Sequence, residues 1–272
     1  VLWEGFKTAR DLGRLHELAS VLIRYGFGDV VRRMGLGHVL ERAGRLLHWK
    51  GVEELARLEP PARLCRIFEE LGPCYIKLGQ IMATRVDLFP QPWTSELERL
   101  QDAAPPLPFD SLRGQVEEDL GAPLESLFDE LERVPLAAGS IAQVHRARLA
   151  DGSAVVLKIR RPGIRDVIET DMRLLERLAT LADARLVDLK RYRLPEVVRQ
   201  FQLSIRRELD FASEARNSER IAKSFAEVPW IVIPRIHWQW TSERLNVQDY
   251  VAGISGRELV KRETAGIDRT LL

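Results

Sequence analysis

From Pro135 to Gly163 the chain reads PLAAGSIAQVHRARLADGSAVVLKIRRPG, a string with the wrong period for a helix. Small residues around Gly139 and the pair Asp151-Gly152 mark two turns. Ile141, Val144 and Ala147 flank one strand, and Val155, Val156, Leu157 and Ile159 form the next, which Pro162-Gly163 stops. The period changes from helical to two-residue near Glu132 and back again after Gly163. The chain therefore has to combine a small antiparallel sheet with helices, an α+β fold. Lys158 stands inside VVLKI, a buried strand pattern, where an unpaired ammonium would be costly. It needs an anion: a carboxylate, phosphates, or both.

The helical part comes first. Up to about residue 60, Leu15, Leu18, Leu22, Ile23, Val30, Val31 and Met34 recur at helical spacing, and Gly26, Gly28, Gly35 and Gly37 cut the run into short helices. Arg24, Arg32, Arg33, Arg42 and Arg45 make the region basic, as the solvated face of a helical hairpin or as a membrane-surface helix. A helix from Ala62 to Leu71 is broken by Gly72-Pro73, and a second runs from about Cys74 to Thr84 through KLGQ. On it Lys77, Gln80 and Thr84 form one polar stripe among apolar neighbours. Either the stripe faces a ligand or another protein surface, or Lys77 snorkels at a helix edge.

Pro105, Pro106 and Pro108 make a stiff connector, and a polar helix from Phe109 to Leu120 leads to the strands. Beyond the sheet, helices are expected at about Asp166 to Arg185 and Pro195 to Ala226. A second strand pair is expected from Trp230 to Trp240 and Arg244 to Val251, before a hinge at Gly253 and Gly256. Asp210 and Glu214 would share one face of the second helix, with Glu208 roughly opposite. These acids either answer Lys158 or form a solvated face beside Arg206, Arg207 and Arg216. His145 reads as a strand histidine with a satisfied hydrogen bond more readily than as a ligand.

Composition narrows the function classes. The 272 residues are 45% hydrophobic and 30% charged with a net charge of +1, so no basic excess points to nucleic acid. Cys65 and Cys74, in no CxxC pair, read as reduced core thiols. Seven of the 41 basic residues are lysine, and two of these seven are Lys77 and Lys158. A compact ammonium enters a phosphate site or buried pair where a planar guanidinium would not fit. The chain opens on Val1 and stops at Leu272 in a polar stretch, which reads as a piece of a longer protein, and it has no run of about 18 apolar residues.

A small-residue loop followed by a strand-borne lysine is how a protein-kinase-like N-terminal lobe begins. With KLGQ upstream, Arg85-VDLF-Pro90, ELERLQDAAPP and Glu208-Leu-Asp210, the chain resembles the UbiB family of atypical kinases, the ubiquinone-biosynthesis group. The resemblance implies a helical KxGQ extension (1–125), a kinase-like N-lobe (126–252), and the hinge and start of a C-lobe (253–272). It implies ATP and Mg²⁺ as ligands. Lys158, Glu214, Ala137, Ala138, Gly139, Ser140 and Gln143 would serve the nucleotide, with Glu214 paired to Lys158. Lys77 would pair with the acids Glu208 and Asp210, and Gln80 would sit near the nucleotide, so that the extension occludes the cleft. Gly139 stands where the family often has a third alanine, which makes this loop more kinase-like. No HxD…N or DFG pattern follows Gly253, so the catalytic residues and metal ligands would lie outside this chain. Isoprenoid quinone precursor lipids, quinone-biosynthesis proteins and a membrane surface are the implied partners, at the cytoplasmic face of the inner membrane. An autoinhibited protein kinase and a non-catalytic lipid-binding scaffold are the alternatives.

Overall fold

A computed structural model describes residues 9–34, 58–100 and 105–254. The expectations placed on Gly35, Gly37, Arg42 and Arg45, and on the chain beyond Ile254, lie outside these residues. The described helices are α1 (Ala9–Arg24), α2 (Gly28–Arg33), α3 (Pro60–Leu71), α4 (Pro73–Ala83), α5 (Gln91–Leu97), α6 (Asp110–Leu120), α7 (Ile164–Arg185), α8 (Leu194–Glu208) and α9 (Phe211–Ser224). The strands are β1 (Phe128–Leu131), β2 (Ala137–Ala138), β3 (Ala142–Leu149), β4 (Ala154–Arg160) and β5 (Leu245–Asp249). All pairings are antiparallel, in the order β1-β3-β4-β5, and β2 lies on the same edge of β3 as β1. Gly152, at φ +84°, makes the β3–β4 turn, a conformation that residues with a Cβ rarely adopt.

Two faces of the sheet do different work. On one, Val155, Leu157, Ile159 and Val247 are fully buried against Phe109, Leu112, Val116 and Leu120 of the α6 region. The core thus runs across the division drawn at residue 125. The opposite face carries Ala142, Val144 and Lys158 toward the functional cleft.

Helix α7 explains how the N-terminal helices are held. Ile164, Ile168 and Met172, spaced by four, enter a core with α3, α4 and α8, while Leu174 and Ala182 enter a second with Leu15, Ala19 and Val31. One amphipathic helix therefore welds the extension to the lobe. Cys65 and Cys74 are free and buried, as their apolar context implied, and burial pushes the Cys65 thiol up to about 11.

Two sequence expectations need correction. The helix foreseen from Pro195 to Ala226 is two helices, because Asp210 leaves helical geometry (φ −105°, ψ 92°) and caps α9 by accepting from the Ser213 N–H at 2.9 Å. The second strand pair shrinks to β5 and a single bridge from Ile236 to Gln248, since Pro234 cannot donate and residues 238–240 coil into a 3-10 turn. Trp240, at the end of that turn, packs beside Phe128, at 6.1 Å between ring centroids. Trp238 is 38% exposed, with its indole N–H on Glu219.

His145 is fully buried, and its Nδ1–H donates to the Glu132 carbonyl at 2.9 Å. Nε2 is left to accept from the Gln143 amide at 3.3 Å, an arrangement that only neutral imidazole satisfies. Burial holds its pKa below the ordinary 6.5, partly opposed by the Glu132 carbonyl. Above that value the ring is neutral in both states; below it the unfolded chain gains the proton first, so stability falls as pH falls. We expect the unfolding free energy to decrease between about pH 7 and pH 5, and His145→Gln to flatten that slope. Urea titrations at stepped pH check it; an unchanged slope in the variant would remove His145 as the source.

Candidate nucleotide cleft

The cleft forms where β2, the following loop, β3 and β4 meet the break between α8 and α9. It encloses about 270 Å³ and is lined by Ala137 to Ala142, Val144, Lys158, Glu208 and Phe211. In the loop the Gly139 N–H turns back to the Ala142 carbonyl at 2.8 Å, closing a tight turn. That amide is used by the loop itself, so Gly139 does not offer its N–H to a nucleotide.

Lys158 Nζ bonds both carboxylate oxygens of Glu214, at 2.8 and 2.6 Å, and lies 4.7 Å from the centre of the Phe211 ring. Glu214 is in the first turn of α9, so the Asp210 cap sets the position of the acid that answers the lysine. The sequence pattern implied a buried ammonium. Instead the Lys158 and Glu214 side chains are 30% and 48% exposed, because Lys158 points out of the sheet into the cleft while Leu157 and Ile159 face the core. The ammonium is held, yet reachable.

The polar stripe of α4 divides among three tasks. Lys77 Nζ meets Glu208 Oε1 at 2.6 Å, which docks the extension on the lobe beside the cleft. Gln80 donates to the Leu100 carbonyl at 3.2 Å and is absent from the cleft lining. Thr84 bonds back to the Ile81 carbonyl of its own helix. Asp210, expected to share a face with Glu214 and offered as a partner of Lys77, is occupied as the α9 cap and contacts Arg216 at 3.5 Å. Gln143 was expected to serve the nucleotide. It sits fully buried on the other sheet face, where its amide accepts from Leu107 N–H at 2.5 Å and donates to the Leu107 carbonyl at 3.2 Å. The two-residue period puts it there: Ala142 and Val144 take the cleft side, so Gln143 cannot.

Two contributors were missed by sequence reasoning. Arg160 is 6% exposed, and its Nη1 donates to the Leu209 carbonyl at 2.6 Å, holding the α8–α9 break with a charge at the C-terminal end of α8. Its place two residues after Lys158, on the same sheet face, was the available signal. Gly79 is the other. A Cβ there would overlap the Leu100 side chain and come within 2.7 Å of Phe68 Cδ2, so glycine lets α4 close on α3. Gly79→Ala is expected to cost about 1–3 kcal/mol by overpacking, read as a lowered urea midpoint. An unshifted midpoint would show that Leu100 and Phe68 yield freely.

Among the described residues no group of three or more His, Cys, Asp and Glu side chains is arranged to hold a metal ion. No described helix is long and apolar enough to cross a membrane.

A strand lysine paired with a helix glutamate beneath a small-residue loop defines a kinase-like lobe. Residues 99–272 match the ABC1 atypical kinase-like domain, and the chain belongs to that family of atypical kinases, the UbiB family. It is 35% identical over 262 residues to a probable protein kinase UbiB of Sodalis glossinidius, covering 96% of this chain and 48% of the relative. A probable protein kinase UbiB of Marinobacter nauticus is 36% identical, with 96% and 48% covered, and one from Pseudomonas aeruginosa is 37% identical, with 90% and 46% covered. The chain spans about half the length of these relatives. In structure it is similar to Rv3197 of Mycobacterium tuberculosis, solved in complex with erythromycin, at a TM-score of 0.50 and 22% identity over 84% of this chain and 53% of that one. That likeness concerns the fold.

Proposed function

We propose that this chain forms the nucleotide-facing N-terminal half of a UbiB-type ATPase that supports ubiquinone biosynthesis. The Lys158–Glu214 pair carries the reading. An accessible ammonium is oriented by a bidentate carboxylate contact at the wall of a cleft roofed by a small-residue loop. Such a lysine supplies positive charge to the phosphates of ATP, while Glu214 keeps it from swinging into solvent. Glu208 on the cleft wall is neutralised by Lys77, which lowers its repulsion toward an entering polyanion.

The general base and the magnesium ligands belong to a second lobe in this proposal, since Glu208, Asp210 and Glu214 are each engaged in a side-chain contact. Mg²⁺ bound there would neutralise charge on the phosphates. Docking of α4 beside the cleft takes space that a protein substrate would need, which favours ATP hydrolysis coupled to lipid or complex remodelling over protein phosphorylation. An isoprenoid quinone precursor and quinone-biosynthesis proteins, at the cytoplasmic face of the inner membrane, are the partners of that reading.

The test pairs two measurements on the complete protein: phosphate release from Mg-ATP, and ubiquinone content of a bacterial strain lacking its own UbiB. Both activities are expected, and both should be lost with Lys158→Met. Phosphate appearing on a protein in place of free phosphate would favour the autoinhibited kinase; restored ubiquinone without any ATP turnover would favour the scaffold.

A further inference from the structure

We propose that Arg161 is a positioning residue that locks the alanine-rich loop to the proline connector, so that phosphate on the loop and the placement of the connector are felt through one guanidinium. This rests on the nucleotide reading above and deepens it. Arg161 is the first residue after β4, three beyond Lys158. Its Nε donates to the Gly139 carbonyl at 2.9 Å, its Nη2 to the Pro105 carbonyl at 2.8 Å, and its own backbone N–H to the Ile141 carbonyl at 2.9 Å. Neither side-chain partner is a carboxylate, and burial pushes the guanidinium pKa down. The charge is thus held by two peptide dipoles from two separate segments.

The fork geometry matters on both sides. A Gly139 oxygen bonded to Arg161 is an acceptor withdrawn from the place where phosphate oxygens would come, and an acceptor facing an anion would repel it. Pro105, Pro106 and Pro108 have no N–H, so between residues 105 and 108 the connector can donate to the lobe only through Leu107. Leu107 is taken by Gln143, one residue past the loop, while Arg161 takes Pro105. The connector is therefore fastened at both points to side chains that also flank or grip the loop. A loop displaced by phosphate has to move the connector or lose the Arg161 fork, and by linkage the reverse holds.

The experiment uses the complete protein, with Arg161→Ala and Arg161→Lys, and three probes: ATP, ADP and adenosine. Arg161→Ala should weaken ATP and ADP by about tenfold or more, the worth of a hydrogen bond from a charged donor, and change adenosine by less than about twofold. Lysine keeps the charge but cannot span both carbonyls in one plane, so Arg161→Lys should stay closer to alanine than to wild type; it also serves if the alanine variant does not fold. In a second readout, ATP but not adenosine should slow hydrogen–deuterium exchange of the Leu107 amide, which donates to Gln143, in wild type, and the variants should lose that protection. Equal weakening of all three probes, or ATP protection unchanged in the variants, would overturn the role of Arg161 and leave the nucleotide site standing. If wild type binds none of the probes, the nucleotide reading falls and this inference with it.

Discussion

Lys158→Met in the complete protein is expected to lower ATP turnover by about a hundredfold or more, the usual cost of deleting a charge aimed at developing negative charge. Stability should hardly change. With side chains 30% and 48% exposed, the Lys158–Glu214 pair is a solvated ion pair of the kind worth about 0–1 kcal/mol. The prediction is thus a dissociation of two quantities, activity lost and melting temperature kept. A variant that loses both would mean that Lys158 holds the lobe together, contrary to its exposure. Turnover within about tenfold of wild type would mean that phosphate is held elsewhere.

The second large effect is the opposite dissociation, stability lost at a distance from the cleft. Arg14 on α1 grips Asp171 on α7 through both oxygens, Nε to Oδ1 at 2.6 Å and Nη2 to Oδ2 at 3.0 Å, and also bonds the Leu71 carbonyl at the end of α3. The Asp171 side chain is fully buried and that of Arg14 is 15% exposed. Burial pushes the Asp171 carboxyl up while Arg14 opposes it, so the acid depends on its partner to stay ionised. Asp171→Ala leaves the Arg14 guanidinium only the half-exposed Glu17 carboxylate, at 2.8 Å, and the Leu71 carbonyl, and should cost about 3 kcal/mol, the low end for a broken buried pair. The double substitution Arg14→Leu with Asp171→Leu should recover most of that, since a matched apolar pair carries no desolvation cost. Urea unfolding of the three variants decides: a double variant no better than the single would locate the cost in packing and not in charge.

These two pairs also mark how far the sequence could be read. Lys158–Glu214 was legible because a charge in a strand of Val, Leu and Ile needs a partner, and the resemblance to a kinase-like lobe singled out Glu214 among the acids that follow. Lys77–Glu208 was legible in part. The stripe on α4 and the acids of Glu208-Leu-Asp210 were visible, but choosing between the two acids required knowing that the chain breaks at Asp210. The signal was present in Asp210-Phe-Ala-Ser213, an N-cap placed after a helix, and was outweighed by the continuous helical period on either side. Arg14–Asp171 was illegible, because neither residue departs from an ordinary amphipathic helix.

The kinase-like lobe was read from a resemblance of motifs; local chemistry in the sequence determined the β3–β4 hairpin with its turn at Gly152, the KLGQ helix between Gly72 and Thr84, the buried thiols, and the α+β class. These follow from two-residue and 3.6-residue periods and from glycine and proline, whose effects act over a few residues. Only the tertiary structure decided that Gln143 clamps Leu107, that Asp210 is a cap and no partner of Lys77, that Gly79 is a contact point, and that Arg14, Arg160 and Arg161 each grip a distant segment. A long side chain reaches several ångströms in a direction set by its strand or helix, and its partner is whatever packing has brought there. That partner is fixed by the arrangement of whole elements, so no local pattern can encode it.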